Sequence, residues 1–408
     1  MSGGASKTTV RLGADATRRL AIWRAFGATT AEAEELRAYA CSPVHQALPE
    51  RRSYPRPDPP HVLAWERYAA DAAVCGPAGA AMVLRRIMVQ LAFPIREGMS
   101  QTAAYLAATR RGQRVERNTP GLEFERRGGL HIELRLTPVG RVPIVLAESR
   151  ADFETLVRAV THHNEPAAVP ASMGACLVAG YNNWDRIDQL HRAHEARRAA
   201  DAGLPAWDAA FQALIPCKDL YQDRFMLIST GCYSAVPASA MDLPDDEWLA
   251  RSLRLRIAHE CTHYCARYAI GAMRVSVLDE LVADYFGLIE AFGEFRAAPF
   301  LRFMGLEDYP AYRRGGRLEN YRGKPPLSNG AFARLPAVLV RAAERLEALD
   351  PLRTRPHAGQ AERMRVLLAL MCVGVEGLVA VDATERFAAA LAEASAAVDD
   401  LSLDGDRP

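Results

Sequence analysis

Between Arg256 and Leu288 the chain reads RIAHECTHYCARYAIGAMRVSVLDELVADYFGL, with His259 and His263 framing Glu260, Cys261 and Thr262. On a helix, residues four apart lie one turn apart on the same face, so the two imidazoles can converge on one metal ion. Glu260, about a third of a turn round, can hold a metal-bound water from the side. Seventeen residues after His263 comes Glu280, and four after that Asp284. Two imidazoles, a carboxylate and a neighbouring base are the parts of an open tetrahedral site that activates water.

Two helices must position these groups. Leu243-Pro244-Asp245 reads as the start of the first, with Asp245 as N-cap and acidic Asp246 and Glu247 at its positive end. Trp248, Leu255 and Ile257 are expected to face inward, and Gly271 to stop the helix. Ser276-x-x-Asp279 has the form of a capping box and starts the second helix. Leu278, Leu281, Val282, Tyr285, Phe286, Leu288 and Ile289 make that helix apolar almost all round, which predicts burial. Glu280 and Asp284 share one of its faces and cannot both be buried bare. Glu280 as third metal ligand, with Asp284 accepting the other N–H of a ligand histidine, satisfies both. The short connection predicts an antiparallel pair that returns Glu280 to His263.

This stretch resembles the zincin metallopeptidases, and within them the glutamate zincins, whose pattern is H-E-x-x-H followed by E-x-x-x-D on a second helix. The match is His259, Glu260, His263, Glu280 and Asp284, and it covers the two motif helices alone. The resemblance implies Zn2+ held by His259, His263 and Glu280, with Asp284 supporting a ligand and Glu260 as the catalytic general base of a peptidase acting on a peptide or protein. It implies a zincin-like catalytic core of mixed sheet plus motif helices, with an edge strand before the first helix; Phe225–Ser229 stands where that strand is expected. It also implies an oxyanion-stabilising His or Tyr, for which Tyr233, Tyr309, Tyr312, Tyr321 and His357 are open candidates. Two other readings use the same residues: a non-catalytic peptide-binding protein, and a non-haem iron enzyme with the same two-His-one-carboxylate set.

The remainder of the 408 residues sets the frame. The expected fold is α+β and mainly helical. It comprises an N-terminal helical region, 1–115, with a Pro-rich connector at 42–60, a zincin-like region, 116–298, and a C-terminal helical region, 299–408. In the first region, helices are expected at Val62–Ala73 and Gly76–Leu91, and another over Gln101–Thr109 capped from Gly98-Met99-Ser100. Strands are expected at Leu130–Leu136, Val142–Leu146, Gly174–Ala179 and Phe225–Ser229, with helices at Asp152–Thr161 and Trp184–Ala202. His191 and His194 read as a solvated face, His162–Pro166 as a polar turn, and Tyr181–Trp184 as a capping loop. Helices at Phe332–Leu349, Gly359–Val375 and Ala383–Val398 follow an irregular stretch, Tyr309–Asn329, and a polar tail ends the chain.

A formal net charge of +1 gives no whole-chain field toward nucleic acid or anionic lipid. Only Lys7, Lys218 and Lys324 are lysines, a bias read as coding preference and not as an arginine-based binding device. The apolar run Val366–Val375 is too short to span a bilayer. The start carries no secretory-type apolar stretch, and the eight scattered cysteines read as small buried hydrophobes, so a cytoplasmic setting is expected. A cytoplasmic peptidase is expected to restrict access to Glu260.

Overall fold

The computed structural model describes residues 16–41, 44, 48–113, 121–201, 203–271, 276–352 and 358–400. His357, the change of texture near Arg114 and the 401–408 tail lie outside them. In chain order the elements are α1 (16–25), α2 (Thr30–Tyr39), β1 (Arg52–Tyr54), α3 (Val62–Val74), α4 (Gly79–Ile87), α5 (Ala103–Arg111), β2 (Leu130–Thr137), β3 (Gly140–Ala147), α6 (Arg150–Thr161), β4 (Ala175–Asn182), α7 (Trp184–Ala200), α8 (Trp207–Leu214) and β5 (Gln222–Ser229). They continue with α9 (Asp245–Ile270), α10 (Val277–Phe292), α11 (Ala297–Met304), α12 (Asn329–Phe332), α13 (Leu335–Leu349), α14 (Gln360–Val379), α15 (Ala383–Ala397) and β6 (Val398–Asp400). The fold is α+β and mainly helical. Among the described residues no helix is long and apolar enough to cross a membrane.

The chain forms two compact units: Pro57–Gly231 is one, and Met1–Arg56 together with Cys232–Pro408 is the other. The first is thus inserted in the sequence of the second. The sequence expectation places its breaks near 115 and 298; these boundaries fall elsewhere.

The inserted unit carries a four-stranded mixed sheet in the order β2-β3-β5-β4. β2 and β3 form an antiparallel hairpin, β3 pairs parallel with β5, and β5 pairs antiparallel with β4. The alternation in Leu130–Leu136 therefore marks a true edge strand, whereas Phe225–Ser229 belongs to an interior strand with partners on both sides. The expected edge strand is corrected on that point. Its residues are buried on both faces, as an apolar run without alternation requires. α3, α4 and α6 pack on the sheet, and Trp65 lies against Phe225 with ring centroids 4.9 Å apart. Asp223 opens β5 fully buried; Trp65 Nε1 and Asn183 Nδ2 donate to it at 2.8 and 2.6 Å, and Arg186 pairs with it at 2.5 Å.

Several local expectations shift. Met99–Gln101 is a separate 3-10 turn, and Thr102, not Ser100, caps α5 by accepting from Tyr105 N. The polar turn at His162–Pro166 is a built structure. Asn164 is fully buried at φ 61°, its Nδ2 donates to the carbonyls of Gln90 and Phe93, and Glu165 accepts the Gly98 and Ser100 N–H groups. Asn183 caps α7 as expected. His194 is buried and hydrogen-bonds Pro205 O at 2.9 Å, so a solvated face does not describe it, whereas His191 stacks on Trp207 and keeps 44 % of its side-chain exposure. The partner is α8, an amphipathic helix whose Trp207 and Phe211 turn toward that surface.

In the other unit α9 and α10 pack antiparallel: Arg251 reaches Ala291 O, Leu255 faces Gly287 and His259 faces Asp284. A Cβ on Gly287 would sit 3.0 Å from Leu255 O, so glycine lets the two backbones close. Trp248 and Leu255 are fully buried, with Ile257 half-buried. Asp245 is the first helical residue and makes no side-chain cap; Pro244 precedes it in extended backbone. Gly271 ends the helix at φ 77°, where a left-handed residue suits a glycine. α10 is buried on nearly every face, as its composition requires, and α14 packs on its other side. β1 and β6 pair in parallel near the ends of the chain, a pairing with no periodic signal in three residues each.

Candidate metal centre

The site grows from the register of α9 against α10. The turn-spaced His259 and His263 face α10, and Ser276 holds α10 in place with the capping box, accepting from Asp279 N while Asp279 Oδ2 accepts the Ser276 N–H at 3.2 Å. Asp279 is thereby assigned to the helix start, and burial pushes its carboxyl up to about 6. One position on, Glu280 points between the histidines. His259 Nε2 and His263 Nε2 stand 3.0 Å apart; Glu280 Oε1 is 3.3 Å from His263 Nε2, and Oε2 is 3.6 Å from His259 Nε2. Among the described residues these three form the group whose ligand atoms, all within 4.8 Å of one another, could hold a metal ion.

The donor set fits a small divalent cation. A tetrahedral centre with bonds of about 2.0–2.1 Å has ligand–ligand edges of about 3.3–3.4 Å, and the three separations straddle that value. The hydrogen bonds fit as well. His259 Nδ1 lies 2.7 Å from Asp284 Oδ1, so Nδ1 carries the proton and Nε2 presents its lone pair. Two imidazole Nε2 atoms at 3.0 Å beside a carboxylate want a cation between them.

Electrostatics point the same way. Burial opposes charge on Glu280, but the adjacent His263, His259 and Arg317 outweigh it and hold the carboxyl well below its usual range. Burial likewise opposes charge on His263, and Glu280 outweighs it, pushing the imidazole up to about 9. A proton on His263 therefore occupies the role a cation would take over. Asp284, fully buried, is held low against its burial by Arg317 and His259.

Glu260 projects from α9 beside the histidines. It is half-buried and close enough to His263 to favour that imidazole's charged form. The three candidate ligand side chains keep 6 % (His259), 12 % (His263) and 8 % (Glu280) of their exposure.

Three supporting residues come from outside the helix pair. Tyr233 sits in a short turn whose next two residues, Ser234 and Ala235, have φ of 54° and 56°. Its hydroxyl donates to Asp284 Oδ1 at 2.6 Å and lies 2.8 Å from His259 Nδ1. A 3-10 turn, Arg317–Tyr321, supplies the other two. Arg317 pairs with Asp284 Oδ2, and Tyr321 donates to Glu280 Oε2 at 2.7 Å. Of the tyrosines considered for oxyanion stabilisation, Tyr233 is bonded to Asp284 and Tyr321 to Glu280. Tyr312 donates to Gly316 O, and Tyr309 is exposed. Arg317 was invisible in a Gly/Arg/Pro-rich stretch without periodicity.

Along residues 21–382 the chain matches a family of unknown function (DUF7005), and it belongs to that family. No curated protein and no solved structure matches it.

Proposed function

We propose that this member of the family is a zinc-dependent hydrolase of the zincin type, a peptidase that cleaves a peptide or amide bond. The observation that carries the reading is the convergence of His259 Nε2, His263 Nε2 and Glu280 beside Glu260, with the outer nitrogen of His259 held by Asp284. Zinc bound by these three side chains would supply Lewis acidity and acidify a water to a pKa of about 7. The chain's own groups do the rest. Glu260 receives the proton of the attacking water on a carboxylate oxygen and returns it to the leaving nitrogen. Its side chain is long enough to reach that water while leaving ligation to the histidines. Asp284 keeps His259 in one tautomer, and the near-burial of the ligands limits which chains reach the centre. The proposal includes the cytoplasmic setting read from the sequence.

Metal analysis of the purified protein beside His263→Ala, Glu280→Ala and Glu260→Gln tests it, together with cleavage of a mixed peptide library. The expected result is one zinc per chain in the parent and in Glu260→Gln, little in the other two, and cleavage by the parent alone. Full zinc retention in Glu280→Ala would overturn the ligand set. Tightly held iron after anaerobic purification would replace the hydrolase with an oxygenase, and zinc without any cleavage would leave a binding protein.

A further inference from the structure

The segment Arg317–Tyr321 lies apart in sequence from the motif helices, yet one turn of it touches the partners of His259 and, directly, Glu280. The hydrogen directions there admit one consistent assignment. A guanidinium only donates, so Arg317 NH1, 2.7 Å from Tyr233 Oη, gives its hydrogen to that oxygen. The hydrogen of Tyr233 is then directed to Asp284 Oδ1, while Arg317 NH2 donates to Oδ2 of the same carboxylate. Filled from both sides by donors, Asp284 is an acceptor toward His259, whose Nδ1 carries the hydrogen and whose Nε2 stays bare. At the other end of the turn the Tyr321 hydroxyl fixes Glu280 by Oε2, which leaves Oε1 as the oxygen nearer His263.

The turn is itself tied down. Tyr39 of α2 donates to Tyr321 O at 2.8 Å and accepts the N–H of Val277, the first residue of α10, at 2.9 Å. One tyrosine thus joins the turn to the start of the helix that carries Glu280 and Asp284. Tyr233 is anchored in the same manner, its N–H donating to Ser252 Oγ on α9 at 3.0 Å. The two residues after it, Ser234 and Ala235, adopt left-handed backbone, a conformation that such a turn must hold in place.

We propose that Arg317–Tyr321 is a retention strap for the metal centre, in which Arg317 is a positioning residue for His259, through Tyr233 and Asp284, and Tyr321 one for Glu280. The strap sets the tautomer of His259 and the orientation of Glu280, so it governs how tightly the ion is held. The inference rests on the metal-centre reading and adds to it the device that holds the ion.

The test is zinc affinity by chelator competition for the parent, Arg317→Gln, Arg317→Lys and Tyr321→Phe, with imidazole ¹⁵N spectra of the metal-free proteins. Arg317→Gln and Tyr321→Phe are each expected to weaken zinc about 10–100-fold. Arg317→Lys is expected to recover part of the loss. The His259 ring should be a single Nδ1–H tautomer in the parent and a mixture in Arg317→Gln, a change that a merely structural arginine would not produce. Should Arg317→Gln not fold, Tyr321→Phe, which removes one hydroxyl, decides alone. Zinc bound by the parent with unchanged affinity in the folded variants overturns the strap and leaves the metal centre standing. A parent that binds no zinc overturns the centre, and the strap with it.

Discussion

Replacing Asp284 by Asn separates the energy of the ion pair from the energy of the metal site. Asp284 is fully buried and accepts from three groups: His259 Nδ1, Tyr233 Oη and Arg317. Asparagine has nearly the same shape. It keeps one oxygen for His259 and Tyr233 but turns an NH2 donor toward the guanidinium. Arg317, whose side chain is 16 % exposed, then loses its close counter-ion and keeps Glu280 Oε2 at 3.8 Å. Breaking a buried pair from one side costs about 3–5 kcal/mol, and that is the expected loss of stability. Zinc affinity should fall about 10–100-fold, equal to about 1.4–2.7 kcal/mol, because a neutral amide orients His259 less firmly than a carboxylate. Adding Arg317→Met to Asp284→Asn removes the stranded charge. Much of the stability should return, since the buried guanidinium no longer faces a neutral amide, while zinc affinity stays low. Urea unfolding of the metal-free protein reports the first quantity and chelator competition the second. Recovery of zinc affinity in the double variant, or a single variant as stable as the parent, would refute the division of labour drawn here.

Two further predictions concern the scaffold. His61 is buried, and its burial, with Arg224 and Arg186 near it, pushes the imidazole down to about 3. The unfolded chain protonates this histidine below about 6.5 while the folded one does not. Its contribution is therefore complete above that pH and declines on acidification toward 3, by up to about 1.4 kcal/mol per pH unit. His61→Leu should show a shallower loss of urea stability between pH 7 and pH 4.5, and parallel slopes would count against the assignment. Gly287→Val should loosen the α9–α10 contact at Leu255 O, costing about 1–3 kcal/mol and weakening zinc through the shifted register of Glu280 and Asp284. A variant with parental melting temperature and zinc affinity would show that the close approach is dispensable.

Much of the candidate site was legible in the sequence because the grouping of His259, His263 and Glu280 is local. The four-residue spacing of His259 and His263 sets a shared face on any helix. Ser276 and Asp279 declare where the next helix starts, and the apolar run around Glu280 and Asp284 declares that both carboxylates are buried and need partners. Most helix and strand positions followed from periodicity in the same way, with ends displaced where a turn such as Met99–Gln101 intervened, while the eight-residue α8 and α11 were too short to register.

What tertiary structure alone decided has no local period. Arg317, Tyr321 and Tyr233 sit in irregular backbone, and their roles depend on which chain passes over the helix pair. The placement of Gln222–Ser229 as an interior strand depends on β3 and β4 flanking it, and a short apolar run reads the same at either place. The joining of the first 56 residues to the chain from Cys232 onward is equally silent in sequence, because closing a long loop costs little more than closing a shorter one and leaves no mark on composition. The residues proposed to bind an ion are thus set by spacing along two helices. The contacts that orient them come from a turn more than thirty residues away, because the tautomer of His259 depends on the partner of its outer nitrogen.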